Sequence, residues 1–165
     1  MKRIAVYPGS FDPIHFGHMD IAQRASELFD KLVIGVYARP DKSLLFTVEE
    51  RVSLARSVMA AHPKVAVEPY EGLTVDFARS QGARTLVRGL RVISDFEREY
   101  QMALMNQQLD AEVETACLMT RYEYAFVSAS LVKEVFMAGG DVSSMVHPLV
   151  LEALMGKRQA GTLTD

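Results

Sequence analysis

Short apolar runs alternate with longer amphipathic ones from end to end of this chain, and that alternation constrains its fold more than any other feature. The apolar runs are Arg3–Tyr7, Leu32–Tyr37, Val65–Val67, Thr85–Val87 and Val113–Met119; the second, Leu-Val-Ile-Gly-Val-Tyr, is rich in β-branched residues. Helical patterns lie between them. Gly17–Phe29 is amphipathic, with Ile21, Ala25, Leu28 and Phe29 on one side. Thr47-Val48-Glu49-Glu50 and Ser94-Asp95-Phe96-Glu97 both fit a capping box, in which a hydroxyl and a carboxylate satisfy orphan backbone N–H groups. Thr74–Ser80 stops near Gly82, Ser128–Ala138 ends at Gly139-Gly140, and Pro148 suits the first turn of a last helix through Met155.

Strand then helix, repeated about five times, predicts an α/β fold: a five-stranded parallel sheet, doubly wound, with helices on its faces. A length of 165 residues fits one domain over 1–160, with Gly161–Asp165 expected to fray as a flexible tail. The net charge of −3 argues against a nucleic-acid partner, which needs a cationic footprint. A single cysteine, Cys117, excludes an internal disulfide and a multi-cysteine zinc site. The apolar start stops at Pro8-Gly9-Ser10, too short for a secretory leader, and no run is long enough for a membrane span. The expectation is a soluble, cytoplasmic protein with no membrane partner.

The first predicted strand runs into Tyr7-Pro8-Gly9-Ser10-Phe11-Asp12-Pro13-Ile14-His15-Phe16-Gly17-His18. Ligands of open α/β sheets bind beyond the carboxyl ends of strands, so this loop occupies the favoured place. Gly9 and Gly17 allow close backbone approach, Ser10 offers a hydroxyl, and the following helix N-terminus attracts anions. His18 is suited to donate a hydrogen bond to a phosphate that gains charge during reaction. Any strand-to-helix turn needs glycine and proline, however, and two histidines three apart are equally consistent with an incidental or stray metal pair. Zinc is the weaker reading, because no third ligand of suitable type lies nearby.

Gly-Ser-Phe-Asp-Pro-Ile-His-Phe-Gly-His resembles the first signature of the nucleotidylyltransferase superfamily, whose Rossmann-like fold agrees with the alternation. Arg88-Gly89-Leu90-Arg91 with Asp95-Phe96-Glu97 and Glu99, the segment Tyr124–Glu134, Lys42, and Phe46-Thr47-x-Glu49-Glu50-Arg51 narrow the match. Together they resemble the phosphopantetheine adenylyltransferase family of coenzyme A biosynthesis, from about Arg3 to Met155. The resemblance implies transfer of AMP from ATP to 4'-phosphopantetheine by direct in-line attack. It implies a catalytic set of His18, Ser10, Lys42 and Arg91, with His18 stabilising the pentavalent transition state and Lys42 bridging acceptor and α-phosphate.

For phosphopantetheine it implies contacts from Ser10, Lys42, Leu73, Thr74, Arg88 and Asn106. For ATP it implies Ser10, Phe11, His18, Gly89, Leu90, Arg91, Glu99 and the run Tyr124, Ala125, Phe126, Val127, Ser128, Ala129 and Ser130. Two positions depart from the family's common form: Ser10 stands where threonine is usual, and Ala129 where the middle of three serines is usual. Arg88 and Arg91 also have an ordinary reading as surface ion pairs with Asp95 or Glu97, Glu99 as a solvated helix carboxylate, and Thr74 as a helix cap. Mg2+ is expected to arrive on the nucleotide phosphates, without a cage built by the protein. The helix Ser94–Leu109 is apolar over much of its circumference, through Phe96, Tyr100, Met102, Leu104, Met105 and Leu109, so a subunit interface is expected. The resemblance implies a homohexamer, and feedback inhibition by coenzyme A.

Overall fold

The computed structural model describes residues 2–41 and 43–160. Five strands are present: β1 Ile4–Gly9, β2 Lys31–Tyr37, β3 Val65–Tyr70, β4 Thr85–Leu90 and β5 Glu114–Met119. Six helices accompany them: α1 Phe16–Leu28, α2 Val48–Val58, α3 Thr74–Ser80, α4 Ile93–Leu109, α5 Ala129–Met137 and α6 Pro148–Gln159, with a short 3-10 helix at Tyr122–Tyr124. The sheet order is β3-β2-β1-β4-β5 and every pairing is parallel. The expected doubly wound sheet is therefore the observed one.

Side chains of alternating parity leave the sheet on opposite faces. Ala5 and Tyr7 of β1 join Leu32, Ile34 and Val36 of β2 in one core, packed with Ile21, Val52, Val132, Val150 and Leu154 from α1, α2, α5 and α6. Val6 and Val33 point the other way, into a smaller core with Val75, Phe77 and Ala78 of α3. Among the described residues, none in α4 is buried.

Several boundaries differ from the sequence expectation for identifiable reasons. β3 continues past Val67 through Pro69, which an edge strand tolerates because the missing N–H faces no neighbour. β4 continues past Val87 through Gly89, so Arg88 is a strand residue. The capping box expected at Ser94 does not form. Val92 is the N-cap without a side-chain bond, Ser94 lies inside the helix, and Asp95 turns back to the Arg91 backbone N–H at 3.1 Å. Thr74 does not cap α3 either; Leu73 holds that position, and the Thr74 hydroxyl pairs with the Tyr70 hydroxyl at 3.0 Å. The box at Thr47 is present as expected, and Ser128 caps α5. Lys42 and the tail 161–165 lie outside the described residues.

Candidate active site

The chain winds outward from β1 to β3 and then returns to place β4 on the other side of β1. That reversal is the switch point at which an open α/β sheet opens a crevice. The register shows the opening directly: β1 and β4 pair only at Ala5–Thr85 and Val6–Leu86, then part. Beyond the split, Arg88 reaches across and donates to the Pro8 carbonyl at 2.6 Å. The loop after β1 and the end of β4 therefore face one another, and both carry the residues singled out by sequence.

In the β1 loop, Phe11 holds φ at +49° and is buried. A bulky residue in the left-handed region is strained, and such strain persists where surrounding structure enforces it. The ring fills the space that a side chain at position 9 would need: a Cβ on Gly9 would stand 3.0 Å from it. Position 17 is similar, since a Cβ there would meet the His15 ring at 3.1 Å. Both glycines are thus favoured by the loop's own aromatic packing, since a side chain at either position would crowd a ring, before any ligand is considered.

His15 and His18 form a reciprocal cap at the start of α1. The His18 backbone N–H donates to His15 Nδ1 (3.4 Å), and the His15 backbone N–H donates to His18 Nδ1 (3.3 Å). Their rings stack at 3.6 Å. With both Nδ1 atoms accepting, the pair is not arranged as a chelate, and neutral His18 carries its proton on Nε2. Burial, aided by the positive charge of Arg91, lowers His15 to a pKa of about 3, so it stays neutral. The edge of the Phe11 ring fixes His18 from the other side, at 4.9 Å between centroids.

The two arginines are braced by carboxylates from α4. Arg88 donates Nε and Nη2 to Glu99 at 2.6 and 2.7 Å. Burial alone would lower its pKa, but the Glu99 hydrogen bonds and charge outweigh it and raise it. Arg91 makes a similar fork with Asp95, at 3.0 and 3.1 Å, and Nη1 donates to the Val127 carbonyl at 3.1 Å. Burial works against the Asp95 charge, yet the Arg91 bonds hold its pKa below the ordinary value. The ion-pair reading is therefore realised for Arg91 with Asp95, whereas Arg88 pairs with Glu99 and not with Glu97, so that Glu99 is an enclosed partner and not a solvated carboxylate. Glu99, expected as a nucleotide contact, has both oxygens engaged by Arg88.

The segment Tyr124–Ser130 follows β5 and leads into α5. Val127 is buried, Phe126 exposed, and the Ser128 hydroxyl accepts from the Leu131 N–H at 3.1 Å, which leaves Ala129 and Ser130 in the first turn of α5. Arg91 ties this segment to the end of β4, next to Gly89 and Leu90. Leu73 and Thr74 stand at the end of β3, and Asn106 lies two turns beyond Glu99 on α4. Among the described residues, no hydrogen bond joins these three to the β1 loop.

Other members of the site carry no sequence-assigned role. Asp12 of the loop itself and Arg51 of α2 are fully buried, and Lys133 of α5 donates to Asp12 at 2.8 Å. Asp20 of α1, nearly buried, pairs with Arg24 at 3.0 Å and Arg121 at 3.1 Å, bracing the chain just before the 3-10 helix. One signal was available for Arg51: it falls on the apolar face of α2 beside Val52, Ala55 and Val58.

A family model described as Cytidylyltransferase-like matches residues 6–135. A protein of Heliobacterium modesticaldum called phosphopantetheine adenylyltransferase is 53% identical over 154 residues, covering 93% of this chain and 92% of that protein. One of the same name from Alkaliphilus metalliredigens is 47% identical, covering 94% and 99%. Another from Alkalilimnicola ehrlichii is 48% identical, covering 100% and 95%. Among solved structures, a Plasmodium falciparum nicotinic acid mononucleotide adenylyltransferase complexed with NaAD superposes with a TM-score of 0.70, covering 94% of this chain and 96% of that one. At 18% identity, that likeness is one of fold.

Proposed function

The chain belongs to the phosphopantetheine adenylyltransferase family, and we propose that it transfers the adenylyl group of ATP to 4'-phosphopantetheine, giving dephospho-coenzyme A and pyrophosphate within coenzyme A biosynthesis. The observation that carries this reading is the crevice where β1 parts from β4, with His18 on one wall and Arg88 and Arg91 on the other. A histidine N–H, two guanidinium groups and a helix N-terminus are donors without a strong base among them. That set suits a reaction between phosphates.

An acceptor phosphate is already anionic near neutral pH, so no proton has to be removed from it. Its oxygen forms a bond to the α-phosphorus while the bond from that phosphorus to the β-bridging oxygen breaks, and the electron pair leaves with pyrophosphate. The work for the protein is alignment and stabilisation of charge on the α-phosphoryl oxygens. His18, with its proton on Nε2, serves as donor to those oxygens. Arg91, held by Asp95 and Val127, and the hydroxyl of Ser10 complete the phosphate contacts, and Lys42 is assigned to bridge the two substrates.

Phe11, Gly89, Leu90, Glu99 and Tyr124–Ser130 are assigned to the nucleotide, the N-terminus of α5 facing its phosphates. Arg88, Leu73, Thr74 and Asn106 are assigned to phosphopantetheine. Because Glu99 grips Arg88, a phosphate arriving at Arg88 competes with that carboxylate, so besides its assigned part at the nucleotide Glu99 aims the arginine assigned to phosphopantetheine.

Magnesium enters this proposal as a companion of the nucleotide. Hydroxyls and cations at the strand ends grip phosphate rather than metal, and among the described residues no group of three His, Cys, Asp or Glu could hold an ion. The triphosphate oxygens fit such a hard cation, which when bound neutralises part of their charge. The proposal also takes in a cytoplasmic location, a homohexamer supported by the uncovered apolar residues of α4, and feedback by coenzyme A. Coenzyme A carries the product's pantetheine arm and adenylyl group, which is the chemical support for inhibition at this site.

Purified protein incubated with ATP, Mg2+ and either 4'-phosphopantetheine or nicotinamide mononucleotide tests the reaction. Dephospho-coenzyme A and pyrophosphate are expected from the first acceptor alone. Pyrophosphate release with nicotinamide mononucleotide but not with phosphopantetheine overturns the assignment.

A further inference from the structure

Asp12 and Arg51 expose no surface to solvent, and neither has a part in the phosphate contacts assigned above. Buried charges persist only when paired and fully hydrogen-bonded, so what they bond to is informative. Arg51 donates to four carbonyls: Phe46 at 3.2 Å, Ser10 and Tyr37 each at 2.8 Å, and Ala38 at 3.2 Å. Asp12 accepts from the backbone N–H groups of Leu45 and Phe46, each at 2.9 Å, and from Lys133 Nζ at 2.8 Å. Three separate stretches meet on these side chains. They are the β1 loop with Ser10, both flanks of the connection that carries Lys42, and helix α5, whose first turn is assigned to the triphosphate.

An ordinary stabilising ion pair would join two elements at any convenient place. This one joins the segments that must be aligned for in-line transfer. Lys133 sits one turn into α5 from Ser130, with its side chain 22% exposed and its ammonium directed inward to a carboxylate that has no exposure. Arg51 already neutralises part of the local charge and holds the β1 loop to the Lys42 connection. The lysine is what adds α5 to that unit.

We propose that Lys133, acting through Asp12, is a positioning residue that keeps the N-terminus of α5 in register with the loop bearing Ser10 and the connection bearing Lys42. The inference rests on the adenylyl-transfer reading for its effect on turnover, but the mechanical coupling does not. A displacement of about 1 Å between reacting groups is enough to slow transfer by up to roughly 100-fold.

Wild-type protein, Lys133→Met, the milder Lys133→Gln and Lys133→Arg are compared in two measurements. Steady-state kinetics should show kcat per folded molecule reduced about 10–100-fold in Lys133→Met, with the KM for ATP changed by no more than about threefold. Lys133→Arg should recover most of the loss, and Lys133→Gln carries the test if the methionine variant does not fold. Hydrogen exchange at the Leu45 and Phe46 amides should speed up by about tenfold in the neutral variants and return towards wild type with arginine.

Unchanged kcat per folded molecule overturns the positioning role. So does an arginine variant as slow as the methionine one, since the lysine would then be acting directly. Wild-type protein that makes no dephospho-coenzyme A, with exchange behaving as expected, sinks the reaction assignment and leaves the coupling standing. Unaltered exchange beside normal wild-type turnover sinks the coupling alone.

Discussion

Burial gives His15 a proton affinity far below that of an ordinary histidine, and the consequence is readable in stability. Its folded pKa of about 3 lies below the unfolded value near 6.5, so the unfolded chain binds the proton more readily. Stability from this source is complete above about pH 6.5 and is lost as pH falls towards 3. At pH 5 the loss amounts to about 2 kcal/mol relative to pH 8. Denaturant unfolding at both pH values should show it, and His15→Thr, which puts a hydroxyl in place of the Nδ1 cap acceptor, should remove that share of the pH dependence. An equal pH slope in the variant would mean that burial does not hold His15 neutral. His18 has a different test. If its Nε2–H serves the transition state, His18→Ala should cost about 2–4 kcal/mol in kcat while ATP affinity changes little. Equal losses in binding and turnover would place its contribution in the ground state. The sequence made this residue conspicuous through its place at a helix start after a glycine-bearing loop, a pattern that fitted an incidental histidine pair equally well. It gave no way to see that His15 holds it, because the reciprocal cap depends on backbone geometry as much as on residue type.

At the level of elements, helix α4 shows why some of the site was legible and some was not. Its existence follows from Phe96, Tyr100 and Leu104 at helical spacing, but its start depends on where Asp95 goes. The capping-box pattern at Ser94 competes with a nearby guanidinium, and the bidentate bond to Arg91 wins because charged partners bond more strongly than a neutral cap. The same kind of competition moved the Thr74 hydroxyl to Tyr70. Pro69 and Gly89 resembled strand ends in sequence and are strand residues in fact, which is how Arg88 came to lie inside β4 and aim at Pro8. Contacts such as Asp12 with Lys133, 121 positions apart, have no local signal at all.

Because no residue of α4 is buried, its two arginine forks must carry much of its attachment to β4, and they should not be equal. Glu99 is the more enclosed carboxylate, with 11% side-chain exposure against 22% for Asp95, and its bonds to Arg88, at 2.6 and 2.7 Å, are shorter than those of Asp95 to Arg91, at 3.0 and 3.1 Å. Glu99→Ala is expected to lower unfolding free energy by about 2–3 kcal/mol and Asp95→Ala by about 1 kcal/mol or less, measured at one fixed protein concentration. A larger effect at Asp95 would show that the arginine after the strand, rather than the one within it, anchors the helix.

At the scale of the whole molecule, the apolar side of α4 is left uncovered by the other described residues. Phe96 and Tyr100 stack on each other at 5.8 Å, yet remain 54% and 55% exposed, and Leu104, Met105 and Leu109 continue the surface at 50%, 55% and 48%. Scattered apolar residues on a surface need no explanation, but a contiguous set along one helix does. The net charge of −3 supplies only weak long-range repulsion between copies. Association would also bear on chemistry, since α4 carries the carboxylates that aim Arg88 and Arg91. Sedimentation of the wild-type protein at micromolar concentration is expected to give a hexamer. The double substitution Tyr100→Glu and Leu104→Glu should shift it to smaller species, because each new carboxylate would have to be desolvated at the interface. In those species α4 loses its cover and the forks loosen, so the KM for phosphopantetheine should rise by roughly tenfold or more, about 1.4 kcal/mol of binding, with the fold intact by circular dichroism. A wild-type monomer would remove the role of this face in assembly. A dissociated variant with unchanged KM would separate assembly from the aim of the arginines, and would leave the crevice between β1 and β4 as a site complete within a single chain.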